Sequence, residues 1–169
     1  MSVIKSLAVC CLAILVSACM GTAPVDPLLK FKVIVYADDT INPSKGVPAK
    51  PVLLRFYQLK DPGKFMGEKG PGLFTSDDTI LAGSLLGKEE LTPLVPGETR
   101  EVEVLIHKEA KFFAVLAEFS DYQSANYRSV LPLGTHKTPQ SADDTILVIL
   151  SGNNVAVFRP AVKKPWWKI

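Results

Sequence analysis

The sequence predicts an all-β fold, a two-sheet sandwich of about seven short strands with one small helical insertion. Three observations carry this reading: short β-rich or alternating runs at regular spacing, turn dipeptides between them, and one Gly-rich break in the rhythm. Residues 29–37 alternate, with Phe31, Val33 and Val35 on one face and Lys30 and Lys32 on the other. Residues 52–59 are β-rich, and Pro51 stands at the strand start, where the missing N–H is tolerated. Residues 100–106 place Val102, Val104 and Ile106 inward and Glu101 and Glu103 outward; 112–119, 126–131, 145–150 and 154–158 complete the set. Gly152-Asn153 fits a two-residue primed hairpin turn, and Pro96-Gly97 fits a type II turn. Between about 61 and 95, Ser76 to Leu86 predicts a short helix with Ser76 as N-cap and Ile80, Leu81 and Leu85 on one face. Arg55 interrupts an apolar strand; we read it as part of a solvated strand face, the alternative being a pair with a carboxylate.

The first eighteen residues read as a signal peptide. A single Lys5 precedes an apolar run from Leu7 to Val16, about ten residues long and so short of the roughly 20 needed to span a bilayer. The run ends in Val16-Ser17-Ala18-Cys19, small residues followed by a cysteine, which resembles the bacterial lipobox. Cys19 then becomes the lipidated first residue of the mature chain. One acyl chain holds only marginally, at about 0.8 kcal/mol per buried CH₂; the three implied by this resemblance anchor permanently. Met20, where an Asp would suggest inner-membrane retention, implies the inner leaflet of the outer membrane, facing the periplasm. Residues 19–28 form a lipidated tether with two prolines, reaching roughly 30 Å if extended. Residues 29–159 form the sandwich domain, and 160–169 a C-terminal tail.

The formal charge of +2 falls to +1 when residues 1–18, with Lys5 and no acid, are removed. Such a balance offers no electrostatic footprint for nucleic acid. Cys10 and Cys11 lie in the discarded peptide, so Cys19 is the sole mature cysteine and the core must hold the fold without disulfides. Of the two histidines, His107 follows a strand and His136 sits in a Gly-Thr-His-Lys-Thr-Pro loop, both without neighbours at metal-ligand spacing. No nucleophile elbow, phosphate loop or HExxH appears, so neither catalysis nor any cofactor beyond the covalent lipid on Cys19 is expected. Asp-Asp-Thr-Ile occurs at 38–41, 77–80 and 143–146 without the spaced ligands of a calcium loop; we read it as turn and cap chemistry before apolar runs. Trp166 and Trp167, with Lys163, Lys164 and Lys168, have the composition of a membrane-interface segment, although a mobile extension is the default expectation.

An ordered series of segments resembles a known family. Asn42-Pro43-Ser44-Lys45-Gly46 follows the first strand, then come the Pro51–Leu59 strand, Phe65, Leu73-Phe74, Leu94-Val95-Pro96-Gly97-Glu98, Phe113 to Phe119, and Asn126-Tyr127-Arg128. Together, behind a lipobox, they resemble the outer-membrane lipoprotein of the type VI secretion system, the TssJ or SciN family. Tyr127 stands where that family usually shows Trp. The resemblance implies a transthyretin-like sandwich and a non-enzymatic role: tethering the secretion membrane complex to the outer membrane by binding the periplasmic C-terminal domain of the large TssM-type inner-membrane protein. It implies partner contacts in the loop of about residues 38–50, carried here by Asn42, Pro43, Ser44, Lys45 and Gly46. The competing reading is a periplasmic lipoprotein that binds a small ligand or inhibits an enzyme, since sandwiches host many functions.

Overall fold

The computed structural model describes residues 28–134 and 145–160. Strands β1 (Leu28–Ala37), β4 (Thr99–His107), β7 (Thr145–Ser151) and β8 (Asn154–Phe158) form one sheet in the order β4-β1-β7-β8. Strands β3 (Leu85–Glu90), β2 (Leu54–Leu59), β5 (Phe112–Ala117) and β6 (Arg128–Pro132) form the second, in the order β3-β2-β5-β6. Pairing is antiparallel except between β1 and β7, which run parallel. Helices α1 (Gly63–Gly67), α2 (Gly72–Thr75) and α3 (Asp77–Leu81) lie between β2 and β3.

The alternation read from β1 and β4 holds. Phe31, Val33, Val35, Val104 and Ile106 are buried between the sheets, joined by Leu54, Phe56, Phe113, Val115, Ile146, Val148 and Val155. Lys30 and Lys32 face outward and pair with Glu103 and Glu101 at 2.6 and 2.7 Å, too exposed to add much stability. The two inner strands of the second sheet do not alternate, for a reason the helices supply. A second core of Tyr57, Leu59, Phe65, Leu73, Leu81, Ala114 and Leu116 covers that sheet's outer face, so β2 and β5 are apolar on both sides. At the opposite edge of the sandwich the sheets close on each other: Val157 N–H donates to Ser129 Oγ at 3.1 Å, and Val155 N–H to the Asn126 carbonyl at 2.9 Å.

Two expectations need correction. The helix does not extend to Leu86: it ends at Leu81, and 85–90 is an eighth strand paired with β2. Ser76 precedes α3, but its side chain makes no capping bond there. The turn at 95–98 is as expected, with Glu98 N–H donating to the Val95 carbonyl at 3.2 Å and Gly97 at φ 78, where glycine has no Cβ to clash.

The strand registers sort the loops into two ends. The near end holds Leu28, the 107–111 turn and Pro132 to Gly134; β8 runs toward it from the far end, with Phe158 level with Ile34. The far end holds the 38–50 loop, the 94–98 turn, the 151–154 hairpin and residues 118–127.

Candidate partner interface

The loop after β1 is built outward from a buried residue. Asp38 closes its start: Oδ1 accepts from Thr40 N–H at 2.8 Å and Thr40 Oγ at 2.7 Å, while Asp38 N–H donates to the Leu150 carbonyl at 3.1 Å. Burial pushes the Asp38 carboxyl up, but hydrogen bonds from Ser151 and Thr40 outweigh it and hold the group below its ordinary value. Ile41 then turns into the core, fully buried. Asn42 follows at φ 53, a left-handed conformation that Asn adopts more readily than other side chains.

Asn42 is 3% exposed and spends its whole amide inside the domain. Nδ2 donates to the Pro51 carbonyl at 2.7 Å, Oδ1 accepts from Ser120 N–H at 2.7 Å, and its own N–H donates to the Gly152 carbonyl at 2.8 Å. One side chain therefore ties both feet of the loop to the start of the Ser120 segment. Asn42, expected above as a partner contact, is an internal clamp in this structure.

Beyond the clamp the chain emerges. Pro43 and Ser44 are half-buried, and Lys45, Gly46, Val47 and Pro48 are exposed. Ser44 and Val47 exchange backbone bonds, Val47 N–H to the Ser44 carbonyl at 2.7 Å, which closes a tight turn. Gly46 occupies its third position at φ 69, where a side chain would be strained. Lys50 Nζ donates to Ser44 Oγ at 3.2 Å, and Asn153 Nδ2 to the Pro43 carbonyl at 3.4 Å, so the hairpin tip braces the loop's flank. Val47, 44% exposed, is the apolar tip of a preformed protrusion.

Arg55 is not on a solvated face. Its side chain is 13% exposed and lies beneath the helices. Nε donates to Glu90 at 3.0 Å, Nη1 to the Leu73 and Phe74 carbonyls at 3.2 Å and to Asp77 at 3.4 Å, and Nη2 pairs with Glu118. Asp77 also accepts from the Tyr57 hydroxyl at 2.7 Å and from Lys88 at 3.2 Å; Lys88 reaches Asp78 at 2.7 Å. Burial raises the Asp77 carboxyl, yet hydrogen bonds from Tyr57 and Lys88 win and hold it below its ordinary value. The Tyr57 hydroxyl is driven far up by burial and by its bond to that carboxylate. Burial leads for Glu118 as well and leaves it raised, despite Arg55 beside it. These groups are spent on one another and pin α2 and α3 to the sheet. Arg128 does the same for α1, donating to the Phe65 and Glu68 carbonyls at 2.8 and 2.7 Å. Tyr127 packs at the same seam, its ring 5.4 Å from Phe74, so the position that departs from Trp is one of packing.

The two described copies of Asp-Asp-Thr-Ile thus do different work, a turn at 38–41 and a buried ion cluster at 77–80. The third copy's Asp143 and Asp144 lie outside the described residues, as do residues 1–27 with Cys19, His136 and residues 161–169. Among the described residues, no three His, Cys, Asp or Glu side chains are grouped to hold a metal ion, and no helix is long and apolar enough to cross a membrane.

A family model described as type VI secretion lipoprotein (VasD, EvfM, TssJ) matches residues 29–153. Among solved structures, the type VI lipoprotein TssJ1 of Pseudomonas aeruginosa is 23% identical with TM-score 0.70, over 81% of this chain and 100% of that one. A chain of a type VI membrane complex is 29% identical with TM-score 0.64, over 78% of this chain and 98% of that one. A chain from the structure described as the TssM C-terminal domain (869–1107) from EAEC is 28% identical with TM-score 0.60, over 79% and 99%. A search of curated proteins finds no match. With the family model spanning β1 to β7, all but the first residue of β1 and none of β8, and its relatives sharing the two-sheet fold, the chain belongs to the type VI secretion lipoprotein family.

Proposed function

We propose that this protein is the lipid-anchored structural component that ties a type VI secretion membrane complex to the outer membrane, held in the inner leaflet by acyl chains on Cys19. It binds the periplasmic C-terminal domain of a TssM-type inner-membrane protein through the far-end loop, and its role is non-catalytic. The observation that carries this reading is the placement of that loop. It projects from the end of β1 opposite the tether, and Asn42 holds it rigid, so residues 43–48 are presented away from the lipid. A preformed loop loses little freedom on binding. Arithmetic on the EAEC relative supports the partner. There, 79% of this 169-residue chain covers 99% of the matched chain, too short to be a fragment running from 869 to 1107. The structure described by the TssM domain therefore holds a lipoprotein-like chain as well.

The test separates anchor from contact. Wild type should fractionate with the outer membrane of its host and co-purify with a large inner-membrane protein, and Cys19→Ser should be released from the membrane. Replacing residues 43–48 with a Gly/Ser loop, in a chain that still melts as wild type, should weaken capture of the TssM-type domain by about 2 kcal/mol or more, the scale of a hot spot. Undiminished capture would remove the loop from the interface and bring forward the reading as a ligand-binding lipoprotein.

A further inference from the structure

The first sheet ends in two edge strands that are treated differently. At β8 the second sheet supplies partners: Val157 N–H meets Ser129 Oγ, and Val155 N–H meets the Asn126 carbonyl. At β4 the closure stops halfway. Gln58 reaches across from β2, its Nε2 donating to the Leu105 carbonyl at 2.8 Å and its Oε1 accepting from His107 N–H at 2.7 Å. This side-chain amide stands where a neighbouring strand's peptide group would. Gly87 leaves it room, since a Cβ there would meet the Gln58 side chain at 3.0 Å.

Those two bonds fix which way the rest of β4 points. Alternate residues of an antiparallel strand turn both N–H and C=O to the same side. The β1–β4 register runs unbroken from Leu28↔His107 to Tyr36↔Thr99. Thr99, Glu101 and Glu103 therefore turn their peptide groups away from β1, as Leu105 and His107 do. Among the described residues nothing bonds those groups there. The open stretch has ordinary strand length, about 20 Å at roughly 3.4 Å per residue. It carries no proline and no bulge, two of the devices that blunt an exposed edge. β3, an edge of the second sheet, does carry a register shift, at Gln58/Leu59.

The side chains along this edge select the occupant. Glu101 and Glu103 point outward, and the lysines that pair with them, Lys32 and Lys30, lie one strand inward. The edge itself thus presents the carboxylates, each still more than half exposed. A second copy pairing along the whole stretch would set glutamates opposite glutamates, which is unfavourable. A strand with Lys or Arg at those positions meets opposite charge. On the inner side Val102 and Leu86 pack on the core but are only partly covered, which suits an apolar residue between the basic ones.

We infer that the Thr99–Leu105 edge of β4 docks an extended segment of another protein as an added antiparallel strand, with basic residues facing Glu101 and Glu103 and an apolar residue covering Val102. Main-chain bonds to the open peptide groups supply affinity, and the alternating side chains supply choice. The inference does not rest on the 43–48 loop, which leaves the sandwich at its far end.

The probe is a short capped peptide alternating Lys with Val, titrated into the mature Cys19→Ser chain at low salt and followed by amide NMR. Amide shifts and slowed solvent exchange are expected at Thr99, Glu101, Glu103 and Leu105, fading as salt is raised. A peptide with Glu in place of Lys should bind about tenfold more weakly, and Glu101→Lys with Glu103→Lys should reverse that preference. Methylating the Lys backbone nitrogens, which face β4 in this register, should abolish binding; methylating the Val nitrogens should leave it intact. Glu101→Pro should also abolish binding at a near-wild-type melting temperature, because that N–H lies outside the β1 ladder. If this variant does not fold, the two methylated peptides decide. No protection along 99–105 at millimolar Lys/Val peptide would overturn the inference, as would binding indifferent to Glu101→Pro or to the methylation pattern. Protection that appears without peptide and rises with protein concentration would give the edge to a second copy and overturn it as well.

Discussion

The loop after β1 and the helical layer over the second sheet are both irregular segments held to the sandwich by buried polar side chains, but by opposite chemistry. Asn42 is neutral, works alone and bonds only to backbone groups. Arg55 and Asp77 are charged, and each depends on several others: Tyr57, Lys88, Glu90 and Glu118. A neutral clamp has a small desolvation cost and leaves its loop's outer surface unconstrained. A buried ion cluster is costly to desolvate and stable only when complete. The first leaves a segment fixed at its base with its outer surface open; the second suits a layer that stays down.

Breaking the charged side should have the larger effect. Asp77→Ala strips Tyr57 and Lys88 of their acceptor and removes one carboxylate from Arg55. Denaturant unfolding of the mature Cys19→Ser chain should show a loss of about 3–5 kcal/mol, toward the lower figure because Glu90 and Glu118 still face Arg55. If the loss is under 1 kcal/mol, the cluster does not pin the helices. Asn42→Ala should cost less, about 2 kcal/mol, from two backbone groups left without their partner and a φ that alanine adopts poorly. Here the informative readout is binding: capture of the TssM-type domain should fall further than the stability loss explains, because the loop loses its preset shape. Proportional losses would assign Asn42 to folding alone.

The smallest expected effect is on pH dependence, and its sign follows from Asp77. Its folded pKa lies below the ordinary 3.8, so its contribution is present above that value and is lost as pH falls through the folded pKa. Glu118, raised by burial, acts in the opposite sense: its contribution is present at low pH and lost as pH rises past its folded pKa, which softens the net change. Asp77→Asn should flatten the acid limb of a stability-versus-pH curve, whereas Asn42→Ala should leave its shape unchanged, since Asn42 has no proton to gain.

How far each region could be read from the sequence also differs. Strands β1 and β4 were legible because each meets solvent on one face, which writes an alternating pattern. Strands β2 and β5 were legible as apolar runs, but the layer that makes them so was not, and Arg55 was therefore assigned to water. Strand β3 left no strand pattern: Leu85-Leu86-Gly87-Lys88-Glu89-Glu90 has little β propensity and pairs because β2 offers it an edge. Gly87 was the available signal, since a Cβ there would meet the Gln58 side chain at 3.0 Å. In the candidate interface the loop itself was visible through its resemblance. The burial of Asn42 was not, because its partners at Pro51, Ser120 and Gly152 are scattered along the chain.

The position of β1 has a mechanical consequence. The strand enters at Leu28 and ends at Ala37, where the 38–50 loop begins, with β4 on one flank and β7 on the other. Tension between a membrane and a bound partner would run along this one strand, across the direction of its hydrogen bonds. Such a load must shear both ladders at once, because neither flank offers a free end from which the bonds could be unzipped singly. An anchor strand placed at a sheet edge and pulled sideways would yield bond by bond; one threaded through the middle resists as a block.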